Sequence, residues 1–211
     1  MVEERIHFED EVVASATENG TLDSEPQPLR WTTDEFHRIG ETGVFEGRHV
    51  ELIEGEILQM SPMLSRHAAA VMLADEAVRA AFGNEFRVRT QLPLDIGQST
   101  DPEPDVAVVR GTARDYAAAH PTTAVLIIEI SDATLLYARG RKASLYARVG
   151  IADLWLVNLQ NGQLEVFRAP HENAAAPFGW SYGESQIVAR EASVAPLAAP
   201  AAKILVADLL P

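Results

Sequence analysis

The sequence predicts an α/β or α+β domain built on a mixed sheet and preceded by an acidic arm. Three observations favour this fold class. A long helical pattern separates an early hairpin pattern from a group of apolar, β-branched segments. A second helical pattern follows the most apolar of these segments, and a further hairpin pattern comes after it. The hydrophobic content of 47% is sufficient for a real core in a chain of 211 residues.

The amino-terminal part of the chain divides into an arm and the first elements of the domain. Residues 1–29 are polar, acidic and without periodicity, which is typical of a flexible arm, and residues 30–211 are expected to form a single domain. Thr32 or Thr33 is suited to cap a short helix. Two alternating segments joined by a Glu-Gly turn predict a hairpin over residues 49–60.

A long helix and three strands are expected next. The helix should begin at Pro62, because proline is favoured at the first helical position, and should stop at Gly83. Its apolar residues recur at spacings of three and four. Alternating or β-branched segments then predict strands at residues 85–90, 92–96 and 105–110.

The second half of the chain alternates between strand and helix patterns, with turn residues at the boundaries. Its strongest short signal is an Asn-Gly pair between two apolar segments, which predicts a tight hairpin. The expected elements are a short helix at 112–119, a strand at 124–130, a helix at 135–149, a hairpin of 153–157 and 164–167, a strand near 186–189 and a closing apolar segment at 204–210.

Composition excludes several classes of protein. Without cysteine, the chain has no disulfides, no thiolate zinc site and no cysteine nucleophile. It contains no run of eighteen apolar residues and no secretory signal pattern, so a cytoplasmic protein without a membrane span is expected. The net charge is −14, and residues 1–30 carry eight acidic residues against two arginines. This charge opposes tight non-specific binding to DNA but leaves room for a local basic patch.

Two carboxylates occupy the ends of apolar strand patterns. Asp105 begins the segment 105–110, and Glu129 lies near the end of the segment 124–130. Both could be solvated where a strand meets a loop. Burial of an ionised carboxylate is costly unless it is paired or binds a metal. The alternative is therefore a Mg²⁺ or Mn²⁺ site formed by both side chains, the backbone carbonyl of Ile130 and water.

Lys142 is the candidate cation for such a site. It belongs to an apolar stripe, at spacings of three and four, that is expected to face the sheet. An ammonium there would hold the attacking water or stabilise charge on a phosphate. The alternative is a lysine that extends its amine to solvent. The stripe consists of Leu135, Ala138, Lys142, Leu145, Tyr146 and Val149.

Three further residues are candidates for supporting roles, each with a structural alternative. Glu51 in the first hairpin would be an outer-sphere or second-metal carboxylate, although most hairpin glutamates simply face solvent. His67 falls on the inner stripe of the long helix, where a hydrogen-bonded core histidine is equally common. Gln91 lies at a strand junction and could donate a hydrogen bond into the site.

Taken together, the sequence resembles the Uma-type family of putative restriction-endonuclease-like proteins, within the PD-(D/E)XK nuclease superfamily. The resemblance covers roughly residues 31–168. It implies a restriction-endonuclease-like core, a mixed central sheet flanked by helices with an N-terminal and a C-terminal hairpin. It also implies Asp105 and Glu129 as metal ligands and Lys142 as the catalytic lysine. The matching stretches are VELIEGE at 50–56, His67, QLPL at 91–94, PDVAVV at 104–109, IIEISD at 127–132 and KASLYARVGIADLWLV at 142–157.

Two positions depart from the pattern of the resemblance. The superfamily usually places its lysine two residues after the glutamate, where this chain has Ser131, so the resemblance assigns the role to Lys142 on the following helix. Relatives usually carry an aspartate one turn before that lysine, where this chain has Ala138. An aspartate there would be close enough to pair with the amine.

The expected function is metal-dependent phosphodiester hydrolysis by an endonuclease, with DNA as the partner and Mg²⁺ or Mn²⁺ as the cofactor. The retained Asp105, Glu129 and Lys142 favour this enzyme. A second hypothesis is a binding or structural protein, monomeric or homodimeric, that keeps the fold but has lost activity. The acidic composition and Ala138 favour it. A small-molecule hydrolase with the same metal site is a third hypothesis.

Overall fold

A computed structural model describes residues 26–211 of the chain, so most of the predicted arm lies outside the described residues. Within the described part, helices cover a mixed sheet, as the fold class requires. In chain order the elements are α1 (Thr33–Gly40), β1 (Val50–Ile53), β2 (Glu56–Gln59), α2 (Ser65–Ala81), β3 (Phe86–Thr90), β4 (Val106–Arg110), a 3₁₀ helix (Ala113–Tyr116), β5 (Leu126–Ser131), α3 (residues 135–148), β6 (Asp153–Asn158), β7 (Gln163–Glu172), β8 (Trp180–Val188), β9 (Ser193–Val194), β10 (Ile204–Leu205) and a second 3₁₀ helix (Val206–Leu209).

The central sheet has six strands in the order β3-β4-β5-β6-β7-β8. Only β5 and β6 are parallel, and α3 forms the connection between them. Parallel neighbours need such a crossover, whereas the other strands pair antiparallel through shorter connections. The hairpin β1–β2 is a separate two-stranded sheet, which contacts the loop before β4 through a bridge between Leu52 and Asp101.

Both faces of the sheet are covered, which explains the nearly continuous apolar segments of β4 and β5. Val106 and Val108 pack toward α2 in one core. Ala107 and Val109 pack toward α3 in a second core. Residues of β5 alternate in the same way. The end of the sheet that carries Asp105 therefore lies near both helices.

Of the two threonines predicted to cap α1, Thr32 is the one that does so. Thr32 is the N-cap, and its hydroxyl accepts a hydrogen bond from the backbone N–H of Glu35 at 3.3 Å. The Glu35 carboxylate accepts one from the Thr32 N–H at 2.9 Å. This reciprocal pair satisfies two backbone donors that the first turn of a helix leaves free.

Two expectations about the middle of the chain are wrong. The long helix begins at Ser65 rather than Pro62, because the Met60 N–H still bonds across the hairpin to the His49 carbonyl at 2.9 Å and the chain must turn before it can coil. Residues 92–96 are not a strand. Their amides bond to loop carbonyls instead, with Leu94 N–H donating to Pro102 at 3.0 Å, so they form no ladder with a neighbouring strand.

The carboxyl-terminal half also differs in detail. The predicted strand near 186–189 is the last part of β8, which pairs with β7 along nearly its whole length. The helix predicted at 135–149 contains a π-helical turn, Ala138–Lys142, between the α-helical segments Leu135–Tyr137 and Ala143–Arg148. No helix within residues 26–211 has both the length and the apolar character needed to cross a bilayer.

Candidate active site

Strand pairing brings Asp105 and Glu129 to the same end of the sheet. Val106 lies opposite Ile128 in the antiparallel pair β4–β5, so the residue before β4 and the residue after Ile128 are cross-strand neighbours. The alternation of side chains places both on the α3 side. The link between them is direct, because Asp105 Oδ2 accepts a hydrogen bond from the Ile130 N–H at 2.8 Å. Both carboxylates and Ile130 line one cavity.

Lys142 projects from α3 into this cavity and is only 5% exposed. Its Nζ lies 3.0 Å from Glu129 Oε1 and 3.0 Å from Glu51 Oε1. Burial alone would lower the pKa of a lysine, but the charges of Glu129, Glu51 and Asp105 outweigh it and raise the pKa of Lys142. The side chain is therefore an ammonium at neutral pH, and it does not extend to solvent.

The two central carboxylates have opposite pKa shifts. Burial, with added repulsion from Asp105 and Glu51, raises the pKa of Glu129 to about 7 despite the nearby Lys142. Burial also opposes ionisation of Asp105, but the hydrogen bond and charge of His67, aided by Lys142 and the Ile130 amide, lower its pKa. Asp105 is thus ionised at neutral pH, whereas Glu129 titrates there. Burial raises the pKa of both groups, so the difference between them follows from the hydrogen bonds and charges around each one.

The supporting candidates surround the same carboxylates. His67 Nε2 lies 3.0 Å from Asp105 Oδ1, and this hydrogen bond raises the pKa of His67 against the opposing effect of burial. Gln91 Nε2 donates to the same oxygen at 3.4 Å. Glu51 is 1% exposed, and its Oε2 has no hydrogen-bond partner within the described residues. The structure thus brings all six predicted side chains together.

Tyr146 is a site residue that the sequence analysis placed on the helical stripe without a role. Its buried hydroxyl donates to Glu129 Oε1 at 2.6 Å. Together with Lys142 it occupies this oxygen. The signal that could have identified Tyr146 is its position four residues after Lys142 on the same face of the helix. From there its hydroxyl can reach the carboxylate that Lys142 contacts.

The chemistry of the donors fits a hard divalent cation. The candidate ligands are the carboxylates of Asp105 and Glu129 and a backbone carbonyl, and the unpartnered buried Oε2 of Glu51 adds an oxygen nearby. Within residues 26–211, no group of three or more His, Asp and Glu side chains is arranged to hold an ion by itself. A site on these residues would accordingly depend on the backbone carbonyl and on water.

The glutamates of the hairpin β1–β2 pair with cations of α3. Glu51 binds Lys142, as described above. Glu54 accepts a hydrogen bond from Arg148 at 3.0 Å, and Glu56 accepts one from Arg141 at 3.0 Å. The hairpin is therefore attached to α3 by charge, and these glutamates do not simply face solvent.

A family model and a solved structure are similar to this chain. The family model Uma2, described as a putative restriction endonuclease, matches residues 33–199. A crystal structure of a putative nuclease of DUF820 from Anabaena variabilis superposes with a TM-score of 0.64 and 18% identity, covering 85% of this chain and 97% of that one. No curated protein matches the sequence.

The structural likeness confirms the predicted restriction-endonuclease-like fold. The family match extends over most of the chain and includes every residue of the candidate site. The protein therefore belongs to the Uma2 family of putative restriction endonucleases, and this membership supports a nuclease-type function.

Proposed function

We propose that the protein is a Mg²⁺- or Mn²⁺-dependent endonuclease that hydrolyses phosphodiester bonds of DNA. The observation that carries the proposal is the contact of Lys142 with Glu129 at 3.0 Å, beside Asp105, in a single cavity. Perturbed carboxylates and a buried lysine in a cleft are typical of functional sites.

Asp105, Glu129 and the Ile130 carbonyl would hold the ion. When bound, it would lower the pKa of a coordinated water and neutralise charge on the scissile phosphate. The donors suit Mg²⁺ or Mn²⁺ because all of them are oxygens.

The neighbouring side chains position these carboxylates and affect their protonation. Lys142 and Tyr146 both donate to Oε1 of Glu129, which leaves its second oxygen for the cavity. His67 donates to Asp105 and favours its ionised form. The Lys142 ammonium supplies positive charge for the phosphate or the attacking water. Its two carboxylate partners hold it in place, and small errors of position at such a site can cost about a hundredfold in rate.

A binding or structural protein, monomeric or homodimeric, is the second candidate. One observation favours it: Ala138 lines the cavity and is 4% exposed, so a buried methyl group stands where the resemblance implies an aspartate. A loss of that carboxylate would weaken both metal binding and the orientation of the lysine.

Metal binding and cleavage test the two candidates separately. We expect Mn²⁺ to raise the melting temperature of the parent protein by mass action and to have no such effect on Asp105→Asn. Asp75→Asn is the matched control, because Asp75 is a partly buried carboxylate that pairs with Arg79 outside the cavity. An equal shift in all three proteins would place the ion elsewhere.

A plasmid-nicking assay in low salt with Mn²⁺ measures the activity. The parent should nick slowly, and Glu129→Gln and Lys142→Ala should not nick above background. If all three proteins give the same background, the endonuclease proposal is rejected in favour of the binding protein.

A further inference from the structure

An apolar lip borders the cavity that holds the candidate active site. It is the connection between β2 and α2, which has no regular secondary structure and contributes Met60, Pro62, Met63 and Leu64 to the cavity wall. Met63 is 46% exposed and Leu64 is 65% exposed. Exposed apolar side chains that adjoin a polar cavity mark a binding surface more often than isolated ones do.

Tyr137 adds an aromatic ring with a free polar tip to the same cavity. Its hydroxyl is buried, yet it has no hydrogen-bond partner among residues 26–211. A buried polar group without a partner is costly, so a ligand that reaches this hydroxyl gains a hydrogen bond. The adjacent Leu136 is 85% exposed. The cavity thus offers apolar and aromatic surface together with an unused hydroxyl.

The charge of the cavity argues against a continuous duplex as the ligand. Among residues 26–211, Lys142 is the only lysine or arginine that lines it, and it is already paired with two carboxylates. The arginines of α3 are paired as well: Arg139 with Glu165, Arg141 with Glu56 and Arg148 with Glu54. The carboxylates that line the cavity are Glu51, Glu103, Asp105, Glu129 and Asp132.

A duplex carries one negative charge per about 1.7 Å of its axis, and its binding is driven by lysine and arginine along both backbones. No such track lines the cavity within residues 26–211. A single strand has a lower charge density, and its unpaired bases are neutral and present flat apolar faces. Proteins stack such bases on aromatic and apolar side chains, in addition to the basic contacts that they make to the backbone.

We infer that the site takes an unpaired strand of nucleic acid, with one base against the apolar lip and Tyr137 and the adjoining phosphate toward Lys142. The inference rests on the proposed function and names its substrate class. Met63 and Leu64 are exposed at the edge of the cavity, so a base can reach them from solvent.

Leu64→Ser is a sharp test because it should not weaken the fold. Leu64 is the N-cap residue of α2 and makes no side-chain cap. Serine is a preferred N-cap, so the variant removes an apolar contact while it adds a helix cap. Ile187→Thr is the matched control, since Ile187 is an exposed apolar residue of β8 outside the cavity.

Binding to the full-length chain is measured by fluorescence anisotropy with Mg²⁺ in low salt, using a short labelled single strand and the blunt duplex of the same sequence. We expect the single strand to bind about tenfold more tightly than the duplex. Leu64→Ser should weaken single-strand binding about fivefold, the smaller end of the loss of one base contact, and leave duplex binding unchanged. Ile187→Thr should match the parent.

A strand with abasic sites in place of its bases completes the comparison. It should bind the parent weakly, and Leu64→Ser should weaken it no further, because the contact is already absent. Equal affinity for duplex and single strand, or equal losses with intact and abasic strands in Leu64→Ser, would overturn the inference.

Hydrolysis of bis(p-nitrophenyl) phosphate and of both DNA forms with Mn²⁺ separates this inference from the proposed function. If the parent cleaves duplex and single strand equally, the endonuclease stands and the inference fails. If no phosphodiester is cleaved while selective single-strand binding holds, the endonuclease proposal fails and the strand-binding site stands.

Discussion

Replacement of Lys142 by methionine is the most informative single perturbation of this fold. The substitution keeps most of the side-chain volume but removes the ammonium between Glu51 and Glu129. Both carboxylates are at most 5% exposed, so water solvates them poorly once the lysine is removed. Breaking a buried ion pair from one side costs about 3–5 kcal/mol, and we expect Lys142→Met to lose about 4 kcal/mol of unfolding free energy at pH 8.

The loss should shrink at lower pH. The pKa of Glu129 is raised to about 7 from its usual value of 4.5, so the folded protein binds more protons than the unfolded chain between these two values. Its contribution to stability is therefore greatest below about pH 4.5 and is lost as the pH rises through about 7. Without Lys142 the pKa of Glu129 rises further, so the unfolding free energy continues to decline to higher pH.

At pH 5.5 Glu129 is neutral in both proteins, so the difference between them should be smaller than at pH 8. It should be smaller by about 1.4 kcal/mol for each unit by which the substitution raises the pKa of Glu129. Urea unfolding in EDTA, analysed with its m-value, measures this difference. Lys203→Met is the control, because the other lysine of the chain is exposed and should change stability by less than about 0.5 kcal/mol. Equal losses for the two lysines, or a larger loss at pH 5.5 for Lys142→Met, would refute the reasoning.

Three further predictions follow from single contacts. Tyr146→Phe removes a buried donor to Glu129, and it should lower the unfolding free energy in urea by about 1–3 kcal/mol at pH 8 and less at pH 5.5, where that carboxylate is neutral; a pH-independent loss would contradict this. Ala138→Asp should speed plasmid nicking with Mn²⁺, because a carboxylate in the cavity would restrain Lys142 and add an oxygen near the metal; an unchanged rate would show that this position is not limiting. Thr32→Ala removes the cap of α1 and should cost about 0.5–2 kcal/mol in the same unfolding assay, whereas Thr32→Ser should cost little.

The core of the site could be predicted from local pattern. Asp105 begins one β-branched segment and Glu129 lies near the end of the next, so antiparallel pairing of the two segments brings the carboxylates together. Lys142 follows from the helical stripe, since its neighbours on that stripe are buried. These inferences need only the periodicity of strands and helices, which is a strong signal in a short window.

Other features depend on partners that are distant in sequence. Residues 92–96 alternate like a strand, but Pro93 has no N–H, and the chain there bonds to carbonyls of Pro102 and Pro121. The length of β8 depends on its pairing with β7, and its mostly exposed residues carry no apolar alternation to reveal it. The hydrogen bond of Tyr146 to Glu129 likewise depends on how α3 docks on the sheet.

The hairpin β1–β2 has a consequence for motion as well as for structure. A two-stranded sheet is marginally stable alone, and this one is held to α3 by its glutamates, including Glu51 on Lys142. Local opening of the hairpin would carry the charge of Glu51 away from Glu129, and the pKa of Glu129 would fall because that charge helps to raise it. The closed hairpin therefore binds more protons than the open one, and acid favours closure. Local opening of the hairpin β1–β2 and release of the proton from Glu129 are therefore two parts of one linked equilibrium.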